Sequence, residues 1–298
     1  MLHPRFFDLA RLVRQRGLRL TVSTNGTMID ENVASQLKGI GVTYVGISLD
    51  GIGETHDKFR GRAGTFEKVV RAFAACRSVG QKVGLRLTLT QHTIADLSQI
   101  LQFIEDNEID RVCFYHLVYS GRGGDLTDVK HSDVRDAIDK IMDWTRMWVD
   151  RGRPREVLTV DQPVDGAYML MRMKRENAAS FASVKELLEW NGGGRNSSGI
   201  GIGNIDTQGK VHPDQFWQDL TLGNVKERPF SEIWTQSDDP TLLGLRDRLP
   251  RLQGRCEKCR FQSVCGGGFR VRGLQAHGNP WADDPGCYLS DAEISKGV

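Results

Sequence analysis

Short apolar runs alternate with stretches of helical periodicity through the first half of the chain, and that alternation leaves few folds open. LRLTVS (18–23), VTYVGISLD (42–50), VGLRLTLT (83–90) and RVCFYHLV (111–118) have the length and content of strands. Between them, Phe66, Val69, Val70 and Phe73 share one helical face over 65–80, and Leu97, Ile100, Leu101 and Ile104 another over 94–106. Residues 5–16 read as a helix too, as does a segment that Asp30 caps and that runs to Leu37, with Gly39 as its stop. Strands separated in this way pair in parallel, because parallel neighbours need a long crossover. The strand bodies read as apolar throughout, as burial on both faces requires. Their C-terminal ends turn polar in STNG, SLDG, TLTQ and YSGRG, and parallel α/β architectures place their sites at those ends.

A helix over roughly 132–151, a strand at 156–160 and helices at 165–174 and 183–190 follow. Beyond them the text becomes rich in glycine and turns, so the expected domains are 1–190 and 191–298. GIGIGN (199–204) lacks the spacing of a dinucleotide fingerprint and reads as a turn beside a strand. Forty basic residues against 38 acidic ones leave a net charge of +2, which favours neither nucleic acid nor an anionic membrane surface. No apolar run approaches the ~18 residues of a membrane span. The N-terminus does not read as a signal peptide. The expected compartment is the cytoplasm, where thiols stay reduced.

Six cysteines are unevenly placed. Cys76 and Cys113 stand alone among apolar neighbours and read as core. Cys256, Cys259, Cys265 and Cys287 crowd the C-terminal segment in the order CxxC, five residues, Cys, then 21 residues to the last. A CxxC turn aims two thiolates at one metal or cluster. Four thiolates suit a structural zinc or an iron–sulfur cluster. Zinc folds usually show a second close pair, which is missing here. Gly266, Gly267 and Gly268 after the third cysteine would let backbone N–H groups approach inorganic sulfides.

STNG (23–26), SLDGIGETHDKFRGRAGTF (48–66), YSGRGG (119–124) and the cysteine pattern together resemble the radical S-adenosylmethionine (radical SAM) enzymes that carry a C-terminal SPASM or twitch domain. The resemblance implies an α/β fold, a partial (β/α)6 barrel followed by a small glycine- and cysteine-rich auxiliary-cluster domain. It implies S-adenosylmethionine and its own [4Fe–4S] cluster as cofactors. Asn25, Ser48 and Asp50 would contact the ribose and carboxylate of that cofactor, with Arg60 as counter-charge. Cys256, Cys259, Cys265 and Cys287 would hold an auxiliary [4Fe–4S] cluster. No individual catalytic residue is assigned.

Residues 191–234, 256–272 and 279–294 resemble more narrowly the radical SAM proteins of haem d1 biosynthesis, with those of the alternative haem pathway as the nearest competitors. The implied partners are a siroheme-derived tetrapyrrole and an electron donor. The implied reaction is radical removal of two propionate side chains from a didecarboxysiroheme, leaving oxo groups. A non-catalytic iron–sulfur or zinc-binding fragment is the competing reading.

Two departures from the family pattern stand out. Asp214 occupies the position of a cysteine that would serve a second auxiliary cluster. HPDQFW (212–217) offers either His212 as an iron ligand and Trp217 as a stacking partner for a tetrapyrrole, or a hairpin with a core tryptophan. The family's CxxxCxxC and GGEP segments are also missing, and no cysteine precedes Cys76. The chain is therefore expected to be a truncated member without its first two βα units. It should not cleave S-adenosylmethionine alone, and should be poorly soluble or pair through the open edge of strand 18–23.

Overall fold

A computed structural model of the chain describes residues 1–121, 129–193 and 197–295. The end of YSGRGG (119–124) and part of the glycine-rich junction near 191 lie outside the described residues. The chain divides into two compact units, Met1–His116 with Asp128–Val160, and Leu117–Thr127 with Asp161–Val298.

The first unit is built on five strands, β1 (Thr21–Thr24), β2 (Tyr44–Ser48), β3 (Val83–Leu89), β4 (Arg111–His116) and β5 (Glu156–Val160). All are parallel and lie in sequence order across the sheet. Each connection returns the chain one strand further in the same direction, the winding of a partial barrel wall. The intervening helices are α1 (Phe6–Gln15), α2 (Glu31–Ile40), α3 (Glu54–Arg60), α4 (Thr65–Ser78), α5 (Gln91–Ala95), α6 (Leu97–Asp106) and α7 (His131–Asp150).

The sheet is apolar on one face only. Val45, Ile47, Leu85, Leu87, Val112 and Phe114 are fully buried there, in the same layer as Val69, Phe73, Ile100 and Ile104 of the helices. The alternate positions carry Ser23, Gly46, Ser48, Gly84, Arg86, Thr88, Cys113 and Tyr115. The reading of uniformly apolar strands is corrected here: VGLRLTL alternates with period two, and its second face is polar.

The Asp30 cap is present, its carboxylate accepting the Val33 N–H at 2.8 Å. The helix it opens runs past Gly39 to Ile40, because Gly41, at φ +85°, is the glycine that takes the left-handed turn. Helix α3 was not legible in the sequence at all.

The second unit holds α8 (Val164–Arg175), α9 (Phe181–Asn191) and an antiparallel sheet of β6 (Asn204–Ile205), β7 (Lys210–His212) and β8 (Gly223–Asn224). Short helices follow: α10 (Phe230–Thr235), α11 (Pro240–Arg246), α12 (Gly254–Glu257), α13 (Gln262–Cys265), α14 (Arg270–His277) and α15 (Asp291–Ile294). Trp217 is buried with Val118, Leu245 and Val271. His212 is buried too, its Nδ1 2.7 Å from the Leu220 carbonyl, which it reaches as a donor. Neither ring is open to a macrocycle, so the core-tryptophan hairpin is the arrangement found. Asp214 is closed off against the Ser198 hydroxyl and accepts the Phe216 N–H at 2.6 Å.

Leu85 lies at the centre of the sheet, between β2 and β4, with no exposed surface. Leu85→Ala should lower the unfolding free energy by about 2–5 kcal/mol in a denaturant titration, the usual cost of such a truncation. Thr21→Ala, at an exposed edge position, should change it little.

Candidate cofactor and cluster sites

Two sites emerge, one in each unit. In the first, Asn25 follows β1 and Ser48 ends the adjacent β2. Asn25 is exposed and uses its side-chain oxygen on the Thr27 N–H at 3.1 Å and hydroxyl at 2.9 Å. Gly26 between them has φ +75°, and a Cβ there would lie 2.8 Å from Ile47 Cγ2, so the TNG turn requires a glycine.

Asp50 is buried and ion-paired with Arg60 at the end of α3. Burial pushes the Asp50 carboxyl up from its ordinary value, and the Arg60 charge pulls against it. His56 accepts the Asp50 N–H on Nδ1 at 3.0 Å and meets Phe66 edge-on. Burial, with help from Arg60, lowers the His56 imidazole from 6.5 to about 4, so the ring is neutral near neutral pH. Asp57 accepts the Phe66 N–H at 2.8 Å, the Thr65 hydroxyl at 2.7 Å and the Gly64 N–H at 2.6 Å, and these bonds lower its carboxyl to about 2. The His-Asp and Arg-Gly pairs thus brace the loop that presents Ser48 and Asp50.

One side chain of this site escaped the sequence reading. Arg86 crosses the polar face from β3, donates from Nη1 to the Ser23 hydroxyl at 2.7 Å and lies over the Tyr115 ring at 4.6 Å. Gly46 makes room for it, since a Cβ there would lie 2.6 Å from Arg86 Cδ. Its Nε and Nη2 carry no bond to the described residues. An isolated arginine at an alternate position of an apolar strand was the available signal.

In the second unit Cys256, Cys259, Cys265 and Cys287 all line one cavity, with Gly267, Gly268 and Asp284 in its wall. The four come from α12, the turn after it, the end of α13 and the loop before α15. No cysteine of the chain is in a disulfide. Gly266, Gly267 and Gly268 have φ of 60°, 82° and 79°, three left-handed residues in succession. A Cβ on Gly267 would lie 2.4 Å from Leu252, and one on Gly268 2.2 Å from Asp284 Oδ2.

Burial pushes the Cys256, Cys265 and Cys287 thiols up, Cys287 to about 11. Such thiols hold their protons near neutral pH until a metal displaces them. Among the described residues, no group of three or more His, Cys, Asp or Glu could hold one metal ion. A tetrahedral zinc gathers its sulfurs about 2.3 Å from one point. Four thiols line one cavity, a donor set that suits a structural zinc or an iron–sulfur cluster.

Asp284 braces this cavity. It accepts Arg272 Nε at 2.8 Å and Nη2 at 2.9 Å, and the N–H groups of Phe269 at 2.7 Å and Gly286 at 2.9 Å. Burial alone would raise its carboxyl, but the Arg272 guanidinium outweighs that and holds it below the usual value. Arg272 also donates to the Leu117 carbonyl at 3.2 Å and to Gln162 at 3.1 Å.

Known proteins resemble this chain in sequence and in fold. Residues 1–104 match the radical SAM superfamily, and residues 201–260 match an iron–sulfur cluster-binding domain, SPASM. The chain is 48% identical over 292 residues to the Fe-coproporphyrin III synthase of Methanosarcina barkeri, across 96% of this chain and 73% of that relative. The chain belongs to the radical SAM superfamily. It is 43% identical over 297 residues to the pre-heme d1 synthase of Dinoroseobacter shibae, across 98% of this chain and 73% of that one. The fold is shared with anSMEcpe with bound AdoMet (TM-score 0.70, 20% identity, 98% of this chain and 77% of that one). It is also shared with SuiB of Streptococcus suis bound to the precursor peptide SuiA (TM-score 0.73, 18% identity, 97% and 63%). This radical SAM chain is thus of an enzyme superfamily and carries a SPASM domain, and the cofactors of the full-length family are [4Fe–4S] clusters and S-adenosylmethionine. Among the described residues, no helix is long and apolar enough to cross a membrane.

Two outcomes follow from these sites. Because His56 is held neutral, its share of the stability is full above about 6.5 and fades as pH falls towards about 4. The melting temperature should therefore decline from pH 7 to pH 5, and His56→Asn should remove that part of the decline. Asp284→Asn would leave Arg272 buried without its counter-charge, at a cost of about 3–5 kcal/mol in chemical denaturation.

Proposed function

We propose that this chain belongs to the radical SAM enzyme of haem d1 biosynthesis, which removes propionate side chains from a didecarboxysiroheme by radical chemistry, and that these residues, which include neither CxxxCxxC nor GGEP, do not cleave S-adenosylmethionine alone. The observation that carries the reading is its match to a pre-heme d1 synthase over 98% of its length. When bound, the reduced cluster and S-adenosylmethionine supply a hydrogen-atom abstractor strong enough for an unactivated C–H bond. An electron donor is therefore part of the reading.

The chain's own residues bind, orient and exclude water. Asn25, Ser48 and Asp50 are the proposed contacts to S-adenosylmethionine, with Arg60 holding Asp50 in place. Cys256, Cys259, Cys265 and Cys287 are the proposed ligands of the auxiliary [4Fe–4S] cluster. Arg86, with two donors in hand on the polar sheet face, is suited to a carboxylate of cofactor or substrate. Residues 1–190 would serve as the barrel domain and 191–298 as the cluster domain. Six cysteines without a disulfide suit a reducing cytoplasm.

A second reading has its own support. The 48% identity to Fe-coproporphyrin III synthase favours an enzyme of the alternative haem pathway. Joined to a segment that carries CxxxCxxC and GGEP, the chain can be incubated anaerobically with reduced didecarboxysiroheme, an electron donor and S-adenosylmethionine, and product mass separates the two readings; the chain alone should yield no 5′-deoxyadenosine. Loss of propionates with gain of oxo groups supports the first reading, and Fe-coproporphyrin III the second. A colourless protein with one zinc, instead of a brown one absorbing near ~400 nm with about four irons for each cluster, would remove both.

Arg86→Met should weaken the binding of a carboxylate ligand about tenfold or more, as loss of a charge-assisted contact does. Separate calorimetric titrations with S-adenosylmethionine and with the tetrapyrrole show which ligand it holds.

A further inference from the structure

Part of the wall of the cysteine cavity is the chain just beyond Cys287. Leu289 and Ile294 both line the cavity, and both are buried. Val164 and Ala167 of α8 and Phe261 form other apolar parts of the same wall.

The segment 289–294 is held by two ends of different strength. At the near end, the Tyr288 hydroxyl donates to Asp165 at 2.6 Å, and its ring meets Tyr168 edge-on. Gln162 donates to the Gly286 carbonyl at 2.6 Å. Tyr288, Asp165 and Gln162 are buried, so these bonds lie away from water. At the far end, Arg255 donates from Nε to Asp291 at 2.7 Å and from Nη2 to the Leu289 carbonyl at 2.6 Å. The Asp291 side chain is 84% exposed, and an exposed ion pair contributes little and is screened by salt. The Arg260 N–H adds a bond to the Ile294 carbonyl at 2.9 Å. Between the ends, the capping box of Ser290 and Glu293 binds α15 into one piece. Such a segment can swing as a unit about its buried end.

The far-end contacts come from a particular place. Arg255 immediately precedes Cys256, and Arg260 immediately follows Cys259. Arg255 also lines the cavity. The groups that hold the segment down are thus the neighbours of two of the four thiols.

We propose that residues 289–294 form a strap over the cysteine cavity, hinged at Tyr288 and latched by Arg255, and that opening of this latch sets how fast small molecules in solution reach the four thiols. With the latch closed, Leu289 and Ile294 keep water from that side of the cavity. The coupling is reciprocal: a ligand that fixes the CxxC turn also fixes Arg255 and favours the closed strap. The strap rests on the four cysteines sharing one cavity, whichever metal group they hold.

The test is alkylation of the reduced, metal-free full chain by iodoacetamide, with the rate read for each cysteine by mass spectrometry. Wild type, Asp291→Ala, Asp291→Glu and Arg255→Met are compared. Asp291→Ala should speed the reaction of Cys256, Cys259, Cys265 and Cys287 about two- to fivefold, the shift that an exposed ion pair can hold back. Asp291→Glu should stay near wild type. Arg255→Met should speed it about tenfold, because the bond to the Leu289 carbonyl is lost as well. Added salt should bring wild type towards the Asp291→Ala rate and leave that variant almost unchanged, a signature that a merely structural role would not produce. The rates should depend little on dilute urea, since opening a short strap exposes little surface. Equal low-salt rates in wild type and Asp291→Ala overturn the inference. A steep urea dependence also overturns it, because the thiols would then be reached by unfolding of the unit. Should Arg255→Met fail to fold, Asp291→Ala and the salt series decide. Iron loading, measured on separate samples, decides the cluster reading and leaves these rates as they are.

Discussion

The cysteine cavity depends on the buried pair of Asp284 and Arg272. Each side chain is 1% exposed, so both charges have left water almost completely. Attraction between them roughly offsets that desolvation, and a buried ion pair is weak grounds for stability by itself. Its consequence is registration. The pair and its hydrogen bonds tie together Leu117, Gln162, Phe269 and Gly286, segments that are far apart in the chain. Gln162 closes the loop by donating to the Gly286 carbonyl at 2.6 Å. Gly286 precedes Cys287, and Phe269 follows the glycine run after Cys265. Two of the four thiols are thereby placed by a carboxylate that would not itself ligate anything.

The parallel sheet shows a related division between its faces. The helix-side face is a packing surface of Val, Ile, Leu and Phe, and it fixes the fold. The other face has been cleared for function. Gly84 leaves space for Tyr44, whose hydroxyl a Cβ would approach to 2.5 Å, as Gly46 does for Arg86. Glycine weakens a strand interior, since it has no side chain to pack and more backbone freedom to lose. Two of them on neighbouring strands, paired in register, are consistent with a face that must hold long polar side chains close to the backbone.

Much of this was legible in the sequence, because strand and helix periodicities are local signals. The five strands, the long helices and the grouping of four cysteines needed only spacing and composition. What was missed depends on long-range contacts. Helix α3 is a seven-residue helix between glycines, too short for a periodicity to show. Arg86 sits in a run that looks apolar until the alternation is separated by face. Asp284 and Arg272 carry no local signal, since nothing near them in the sequence says that a carboxylate will meet a guanidinium twelve residues away inside a core. For His212 and Trp217 the sequence left a macrocycle contact and a hairpin with a core tryptophan both open, and the hairpin is what the structure shows.

Donor chemistry also assigns the two sites to different kinds of ligand. The second unit gathers thiols, which are soft donors, and the oxygens of Asp284 beside them are already hydrogen-bonded. The first unit offers hydroxyl, amide, carboxylate and guanidinium groups at strand ends and on one sheet face. Those are the donors and acceptors suited to an organic ligand with a ribose, an amino-acid moiety or carboxylates. The two units differ along this axis, one gathering soft donors and the other hard ones.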